Sequence, residues 1–278
     1  MEIKMIKPHL IALDLDGTLL MSDGRIGPKT KEILKHLSDR GHHIAIATGR
    51  ILALASSVPA DLDLACHVVA CNGAVVKDAS SNTISEHTFR DDQITRLREV
   101  LDSEFIYYHF YSEDTIYATE LKHTAKKFFD ITRAKAGKSP LKVQVLSEVE
   151  LDFSEANVFK FGIFQDGTYD FERVRRRLSQ LEEFDTMFSA PSLLDIMLKG
   201  VSKWTGIEGL ASSLAIDHEN IIVFGDNEND SEMLIKAGVG VAMGNAEDSI
   251  KALAKYATES NDEEGIYTFL SQFSGLFD

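Results

Sequence analysis

Cysteine is nearly absent. Cys66 and Cys71 are the only two in 278 residues, too few for a disulfide framework, so a reducing compartment, the cytoplasm, is the expected location. Positive charge is scarce as well: 29 Lys and Arg stand against 44 Asp and Glu, a formal net charge of −15. That balance argues against nucleic acid or an anionic membrane as the main partner, because both demand basic patches. No apolar run is long enough to cross a bilayer. The chain reaches a sheet-like strand early, without the apolar core of a secretory signal. Internal repeats and low-complexity tracts are missing too. What remains, 44% hydrophobic and 26% charged residues, is ordinary for a soluble globular protein, and the length allows one large or two modest domains.

The run His9-Leu10-Ile11-Ala12-Leu13, bounded by turn residues, reads as a strand buried on both faces, as in a parallel sheet. It delivers Asp14-Leu15-Asp16-Gly17-Thr18 to the carboxyl end, where open α/β sheets bind ligands. Residues two apart in a strand point the same way, so Asp14 and Asp16 are expected to converge. Carboxylates so close resist joint ionisation unless a positive charge sits between them. A Mg²⁺ ion, held by one or two carboxylates, waters and phosphate oxygens, answers that need. The plainer alternative is an Asx-turn that closes the strand.

Pro28 opens a helical pattern with Ile33, Leu34 and Leu37 on one face. Ile44–Ala47 follows as a second buried strand that runs into Thr48-Gly49-Arg50. Strand, helix, strand is a βαβ unit, which places Thr48 at the sheet edge of Asp14. A hydroxyl and backbone amides at that turn suit a phosphate oxygen, although Thr48 could equally cap the next helix. Val68-Val69-Ala70 leads into Asn72-Gly73, a hairpin signal. Asn72 is first a turn residue, and it could also face the site.

From 86 to 186 the periodicities mix, and the segment reads as a separate α+β unit inserted into an α/β domain made of 1–85 and 187–278. Helices are expected over Asp91–Leu101, Glu120–Phe129 and Tyr169–Leu181. Strands are expected over Phe105–Tyr111, Val143–Leu146, Val158–Phe164 and Phe184–Phe188. Tyr107, Tyr108, Phe110 and Tyr111 suit sheet packing. Lys135 and Lys138 belong to a basic loop that is solvated or reaches a substrate anion.

The α/β texture is expected to resume with a strand at Leu193–Leu198. Gly200-Val201-Ser202-Lys203 then opens an amphipathic helix. A lysine at a helix start opposes the macrodipole, which makes sense if Lys203 and the helix amides share an anion; a solvated surface lysine is the alternative. Ile221–Phe224 delivers Gly225-Asp226-Asn227-Glu228-Asn229-Asp230, a second concentration of metal-type oxygens, with Asp226 straight off the strand. Glu228 and Asp230 could instead favour the next helix N-terminus.

In this order and spacing, Asp14-x-Asp16-Gly17-Thr18, Thr48-Gly49-Arg50, Lys203 and Gly225-Asp226-x-x-Asn229-Asp230 resemble the haloacid dehalogenase superfamily. The set looks most like its Cof-type phosphatases, with a large cap inserted between the second and third motifs. The outer segments carry the resemblance; the middle shares only position and texture. It implies a Rossmann-like doubly wound parallel sheet with an α+β cap that closes over the core and chooses the substrate. Asp14 then matches the nucleophile that forms an aspartyl-phosphate, and Asp16 the general acid and base. Mg²⁺ would be held by the Asp14 carboxylate, the Asp16 backbone carbonyl and Asp226. Thr48, Gly49, Lys203, Asn229 and the Leu15 amide would surround the phosphoryl oxygens. Asp230 would orient the site, and Arg50 and Asn72 would lie at the substrate or just behind it.

Members of the resembled family that cleave carbon–halogen or carbon–phosphorus bonds differ at position 16, so Asp16, able to protonate an alkoxide leaving group, implies phosphate ester hydrolysis or phosphoryl transfer. One departure is Trp204, where these phosphatases often have Gly after the lysine; an indole there would wall the site or pack against the cap. The resulting expectation is a Mg²⁺-dependent phosphatase acting on small phosphorylated metabolites. A phosphomutase or phosphotransferase on the same fold is the rival enzyme. A non-catalytic regulatory binding module is the rival from another class, disfavoured because pure binding needs no nucleophile and acid together.

Overall fold

Five strands open the chain: β1 (Leu10–Leu13), β2 (His43–Ala47), β3 (His67–Ala70), β4 (Val75–Lys77) and β5 (Thr83–Glu86). Six follow: β6 (Tyr108–Tyr111), β7 (Thr115–Ala118), β8 (Lys142–Val145), β9 (Lys160–Phe164), β10 (Phe184–Ala190) and β11 (Leu193–Leu198). The last three are β12 (Ile221–Gly225), β13 (Val239–Ala242) and β14 (Tyr256–Ala257). The computed structural model describes residues 7–134, 139–148, 153, 156–190 and 192–272. Lys135 and Lys138 lie outside the described residues.

The first sheet has the order β14-β13-β12-β1-β2-β3-β4-β5. It is parallel from β14 to β3 and antiparallel at β4 and β5. All four residues of β1 are buried, as a central strand of a sheet covered on both faces requires. Alternation sorts its side chains. Ile11 and Leu13 pack with Leu34 and Leu37 of α1 (Pro28–Asp39), while Leu10 and Ala12 face the opposite layer. Two short helices, α2 (Leu52–Ala55) and α3 (Val58–Leu62), follow the turn after β2.

The second sheet, β10-β11-β9-β6-β7-β8, is antiparallel apart from the β7–β8 pair. One face packs Tyr108, Phe110, Phe161, Ile163, Leu194 and Ile196 beneath α4 (Asp91–Ser103) and α6 (Phe171–Leu178), whereas α5 (His123–Ala134) lies against β7 and β8. Strand β9 lies between β11 and β6 in this sheet. The other face, with Tyr107, Tyr111, Phe159 and Met197, meets Ile51, Leu52, Val68 and Cys71 of the first unit. The expected strand at Leu193–Leu198 forms, but it pairs with β9 and β10 in the second sheet. The boundary drawn at 186/187 therefore falls inside β10. The inner strands β9 and β11 are mostly buried, so they read as apolar as those of the first sheet, and composition could not separate β11 from it.

Helix α6 is shorter than its periodicity suggests. Asp170 caps it, its carboxylate accepting the Arg173 N–H at 3.0 Å. After the second sheet, α7 (Lys203–Ser213), α8 (Ser231–Lys236) and α9 (Asp248–Lys251) cover the face of the first sheet opposite α1. Helix α10 (Gly265–Gln272) packs with α1 on the other. Trp204 on α7 is buried among Val69, Val76 and Ile207 with its ring edge against His218. Among the described residues, the indole belongs to the core under the first sheet, instead of walling the site or packing on the cap as expected.

Four histidines mark the amino ends of β1, β2 and β3, opposite the edge that carries Asp14. The His9 N–H donates to His42 Nδ1 at 3.1 Å. The Ala79 N–H donates to His67 Nδ1 at 3.1 Å, and His67 Nε2 sits 3.1 Å from His43 Nδ1. Since His67 Nδ1 accepts, its proton is on Nε2 and His43 Nδ1 accepts in turn; both rings must be neutral for the chain to hold. Burial pushes His42 and His67 down to about 4 and lowers His9 and His43 too. A histidine with a depressed folded pKa contributes stability above its unfolded value of about 6.5, and loses it as pH falls towards the folded value. The loss is roughly 1.4 kcal/mol per pKa unit for each ring. Urea unfolding midpoints should therefore drop between about pH 6.5 and 4.5, and His67→Gln should flatten the drop. An equal drop in wild type and variant would contradict this account.

Candidate active site

The strand ends at Leu13, and that decides how the first motif is arranged. Beyond it the chain turns: the Asp14 N–H still donates to the Phe224 carbonyl at 3.1 Å, but Thr18 and Leu20 fold back onto the Leu15 carbonyl. Period-two alternation stops, and the two aspartates part. Asp14 is buried, one oxygen 2.6 Å from Lys203 Nζ. The Asp16 side chain is 65% exposed and is gripped by Arg50, whose Nε and Nη2 donate at 2.8 and 2.5 Å. The expected convergence of these two carboxylates is corrected by the structure. The carboxylates that do converge with Asp14 are Asp226 and Asp230, one oxygen of each lying within 4.8 Å of the others.

Gly17 permits this approach twice over. It has φ of +85°, where side chains are strained, and a Cβ there would lie 2.4 Å from the Asp226 carboxylate. Thr18, given no role by its sequence, donates its hydroxyl to Asp226 Oδ1 at 2.6 Å. Asp230 is fully engaged. Its Oδ1 accepts from Lys203 at 2.6 Å, and its Oδ2 accepts the N–H groups of Asp226 and Asn227 at 2.9 and 3.1 Å. It shapes the loop and holds the lysine, leaving Asp14 and Asp226 with oxygens to offer.

Lys203 reaches the cluster because α7 starts almost in contact with the turn after β3. Ser202 and Thr205 cap the helix reciprocally. Gly73, at φ of +93°, lies so close that a Cβ would be 2.0 Å from the Ser202 carbonyl. Lys203 is therefore a buried cation and not solvated surface. Burial opposes its charge, but Asp14 and Asp230 outweigh that and raise its pKa above the ordinary value. Burial also raises Asp14 well above the carboxylate range; Lys203 opposes, and Asp230 and Asp226 add to the rise. Asp226 is pushed up to about 6, by burial first. Three carboxylates facing one ammonium leave an excess of negative charge and of hard oxygen donors. That donor set fits a divalent cation.

Thr48 and Gly49 stand beside Asn72 at the same edge. The Thr48 hydroxyl oxygen accepts the Arg50 N–H at 3.1 Å, which leaves its own proton to donate. Its carbonyl accepts the Asn72 N–H at 3.0 Å. A Cβ on Gly49 would lie 2.9 Å from Asn72 Oδ1. Asn229 Nδ2 donates to that same oxygen at 3.1 Å. The Leu15 amide meets no acceptor among the described residues. Asn72 is the expected turn residue, with φ of +53°, and its side chain also reaches the site. The second sheet comes down on this edge: the Phe188 N–H donates to Glu228 Oε1 at 3.3 Å, and Asn72 Nδ2 donates to Asp195 Oδ2 at 2.8 Å. The sequence pattern assigns Asp195 and its partner Lys160 no role in the site. The available signal was a lone charge inside each of two apolar strands.

A family model described as haloacid dehalogenase-like hydrolase matches residues 11–270. Among the relatives, the 5-amino-6-(5-phospho-D-ribitylamino)uracil phosphatase YitU of Bacillus subtilis is 31% identical, the match covering 97% of this chain and 99% of that protein. Pyridoxal phosphate phosphatase YbhA of Escherichia coli is 28% identical over 94% of this chain and 97% of its own. A haloacid dehalogenase-like hydrolase from B. subtilis has a similar solved structure, with a TM-score of 0.82 at 25% identity over 95% of this chain and 99% of that one. A subclass IIB sugar phosphatase gives 0.78 at 25% identity over 96% and 99%.

Proposed function

The chain belongs to the haloacid dehalogenase-like hydrolases, in the branch of Cof-type phosphatases, and from that premise we propose that it hydrolyses phosphate monoesters of small metabolites, sugar phosphates or phosphorylated cofactors, through an aspartyl-phosphate on Asp14. The carboxylate of Asp14 is the observation that carries this reading. It is buried at the carboxyl edge of a parallel sheet, one oxygen is fixed by Lys203, and the other makes no hydrogen bond among the described residues. Relatives named for a phosphoribitylaminouracil and for pyridoxal phosphate support a small phosphorylated substrate.

In the first step the unbound Asp14 oxygen attacks phosphorus and the ester P–O bond breaks. Asp16, which must first leave the Arg50 contact it makes in this structure, gives its proton to the departing alkoxide. In the second step Asp16 takes a proton from water, the water oxygen attacks phosphorus, and the Asp14 carboxylate leaves as inorganic phosphate forms. Lys203, the Leu15 and Gly49 amides, the Thr48 hydroxyl and the Asn229 amide supply fixed donors to the phosphoryl oxygens. The Asp14 and Asp226 carboxylates would hold Mg²⁺, with the Asp16 carbonyl as the resemblance implies; when bound, the ion supplies positive charge against the transferred group.

The test is release of inorganic phosphate from a panel of sugar phosphates, nucleotides, flavin mononucleotide and pyridoxal phosphate, with and without Mg²⁺. The expected result is Mg²⁺-dependent release from at least one small monoester. Silence across the panel while Mg²⁺ binds would overturn the reading.

The raised pKa of Asp226 adds a pH prediction. Below about 6 its folded form holds a proton that the cation must displace, and burial raises the other ligand, Asp14, as well, so Mg²⁺ affinity should fall by at least about tenfold per pH unit there. Calorimetric titration at neutral and mildly acidic pH reads this directly, and equal affinities would refute it.

A further inference from the structure

A buried ion pair seldom stabilises a fold more than an apolar pair of the same shape would. Lys160 and Asp195, at most 1% exposed, form such a pair at 2.7 Å from adjacent strands of the second sheet. The Lys160 ammonium also lies 4.8 Å from the centre of the Tyr111 ring. Asp195 Oδ2 accepts both from Lys160 and from Asn72, while its Oδ1 is buried with no hydrogen-bond partner among the described residues. Packing alone gives no reason to place a charge pair there.

From these contacts we infer that Asp195, with Lys160 as its counter-ion, is a positioning residue for the phosphate pocket, acting through Asn72 on Asn229. A carboxylate only accepts, so Asn72 must turn its NH₂ to Asp195 and its oxygen to Asn229 Nδ2, 3.1 Å away. The flipped amide would set oxygen against carboxylate at one end and NH₂ against NH₂ at the other, so chemistry fixes the orientation. With one Asn229 N–H committed to Asn72, the second is left to donate to a phosphoryl oxygen. Asn72 is anchored for this task. Its left-handed backbone donates to the Thr48 carbonyl, and its side-chain oxygen packs where a Gly49 side chain would be. One carboxamide thus joins both phosphate-binding turns to the second sheet, which seats that sheet and sets the pocket together.

The inference rests on the phosphatase reading, and a thermodynamic cycle separates the two. Inorganic phosphate affinity, from calorimetry and from product inhibition, would be measured for wild type, Asn72→Ala, the double variant Asp195→Leu/Lys160→Met, and the triple combination. Each of the first two variants should weaken phosphate about tenfold, the worth of one charge-assisted hydrogen bond, and the triple should be no weaker than either. The double variant should still fold, because an apolar pair replaces an ionic one, with a midpoint lowered only by the Asn72 NH₂ that loses its acceptor. If that variant fails to fold, Asp195→Asn, which keeps the shape but can present either end to Asn72, should show a several-fold loss. Multiplicative losses in the triple, or an unchanged affinity without Asp195, overturn the inference alone. Wild-type protein that neither binds phosphate nor releases it overturns the functional reading beneath it.

Discussion

Asp14→Asn is expected to give a folded protein whose kcat is at least about four orders of magnitude below wild type, the scale seen when a covalent catalyst is removed. The amide is isosteric and its oxygen can still accept from Lys203, so the 2.6 Å contact has a substitute. What disappears is the oxygen proposed as the nucleophile. Stability without metal should not fall, because burial and two neighbouring carboxylates already work against the Asp14 charge. Phosphate release together with a metal-free urea midpoint measures both halves. A variant that hydrolyses at the wild-type rate, or one that fails to fold, would show that Asp14 has a different role.

The largest stability effect belongs to Lys203→Met. Methionine fills the space of the lysine stem but leaves Asp14 and Asp230 buried without their cation, which costs about 3–5 kcal/mol for a broken buried pair. The pH dependence identifies the cause. A carboxyl whose folded pKa is raised makes the fold less stable as pH rises from the unfolded value through the folded one. Asp14 is raised already, and losing Lys203 removes what opposes the rise. The deficit of the variant in metal-free buffer should be greatest above neutrality and shrink towards pH 5, as Asp14 takes up a proton. Urea unfolding at the two pH values checks this, and a deficit that does not change with pH would mean that lost packing is responsible. Turnover should also fall by about 10²–10³, as for loss of one oxyanion donor.

Much of this site could be read from local sequence, and the physics explains which parts. Asp14, Thr48 and Asp226 each follow a short apolar strand directly, and a parallel sheet brings the carboxyl ends of its strands to one edge. Lys203 was readable as a cation misplaced at a helix start. The relation of Asp14 to Asp16 was not, because it depends on the residue at which the strand stops. Leu13 is the last of β1, and the two side chains separate after it. Asp195 and Lys160 are a non-local pair, 35 residues apart; a lone charge in LLDIML or KFGIF announces that a partner is needed without saying which. The boundary near 186 was obscured for the same reason that β11 is apolar, namely that both of its faces are covered.

The central claim is that Asp14 carries the phosphoryl group, and rapid acid quench followed by peptide mass spectrometry tests it most directly. Acyl phosphates survive acid, so protein mixed with Mg²⁺ and a turned-over monoester should yield one added phosphoryl group on the peptide containing Asp14, discharged by hydroxylamine and absent from Asp14→Asn. Steady hydrolysis with no adduct at Asp14, or with the adduct on another residue, would contradict the account.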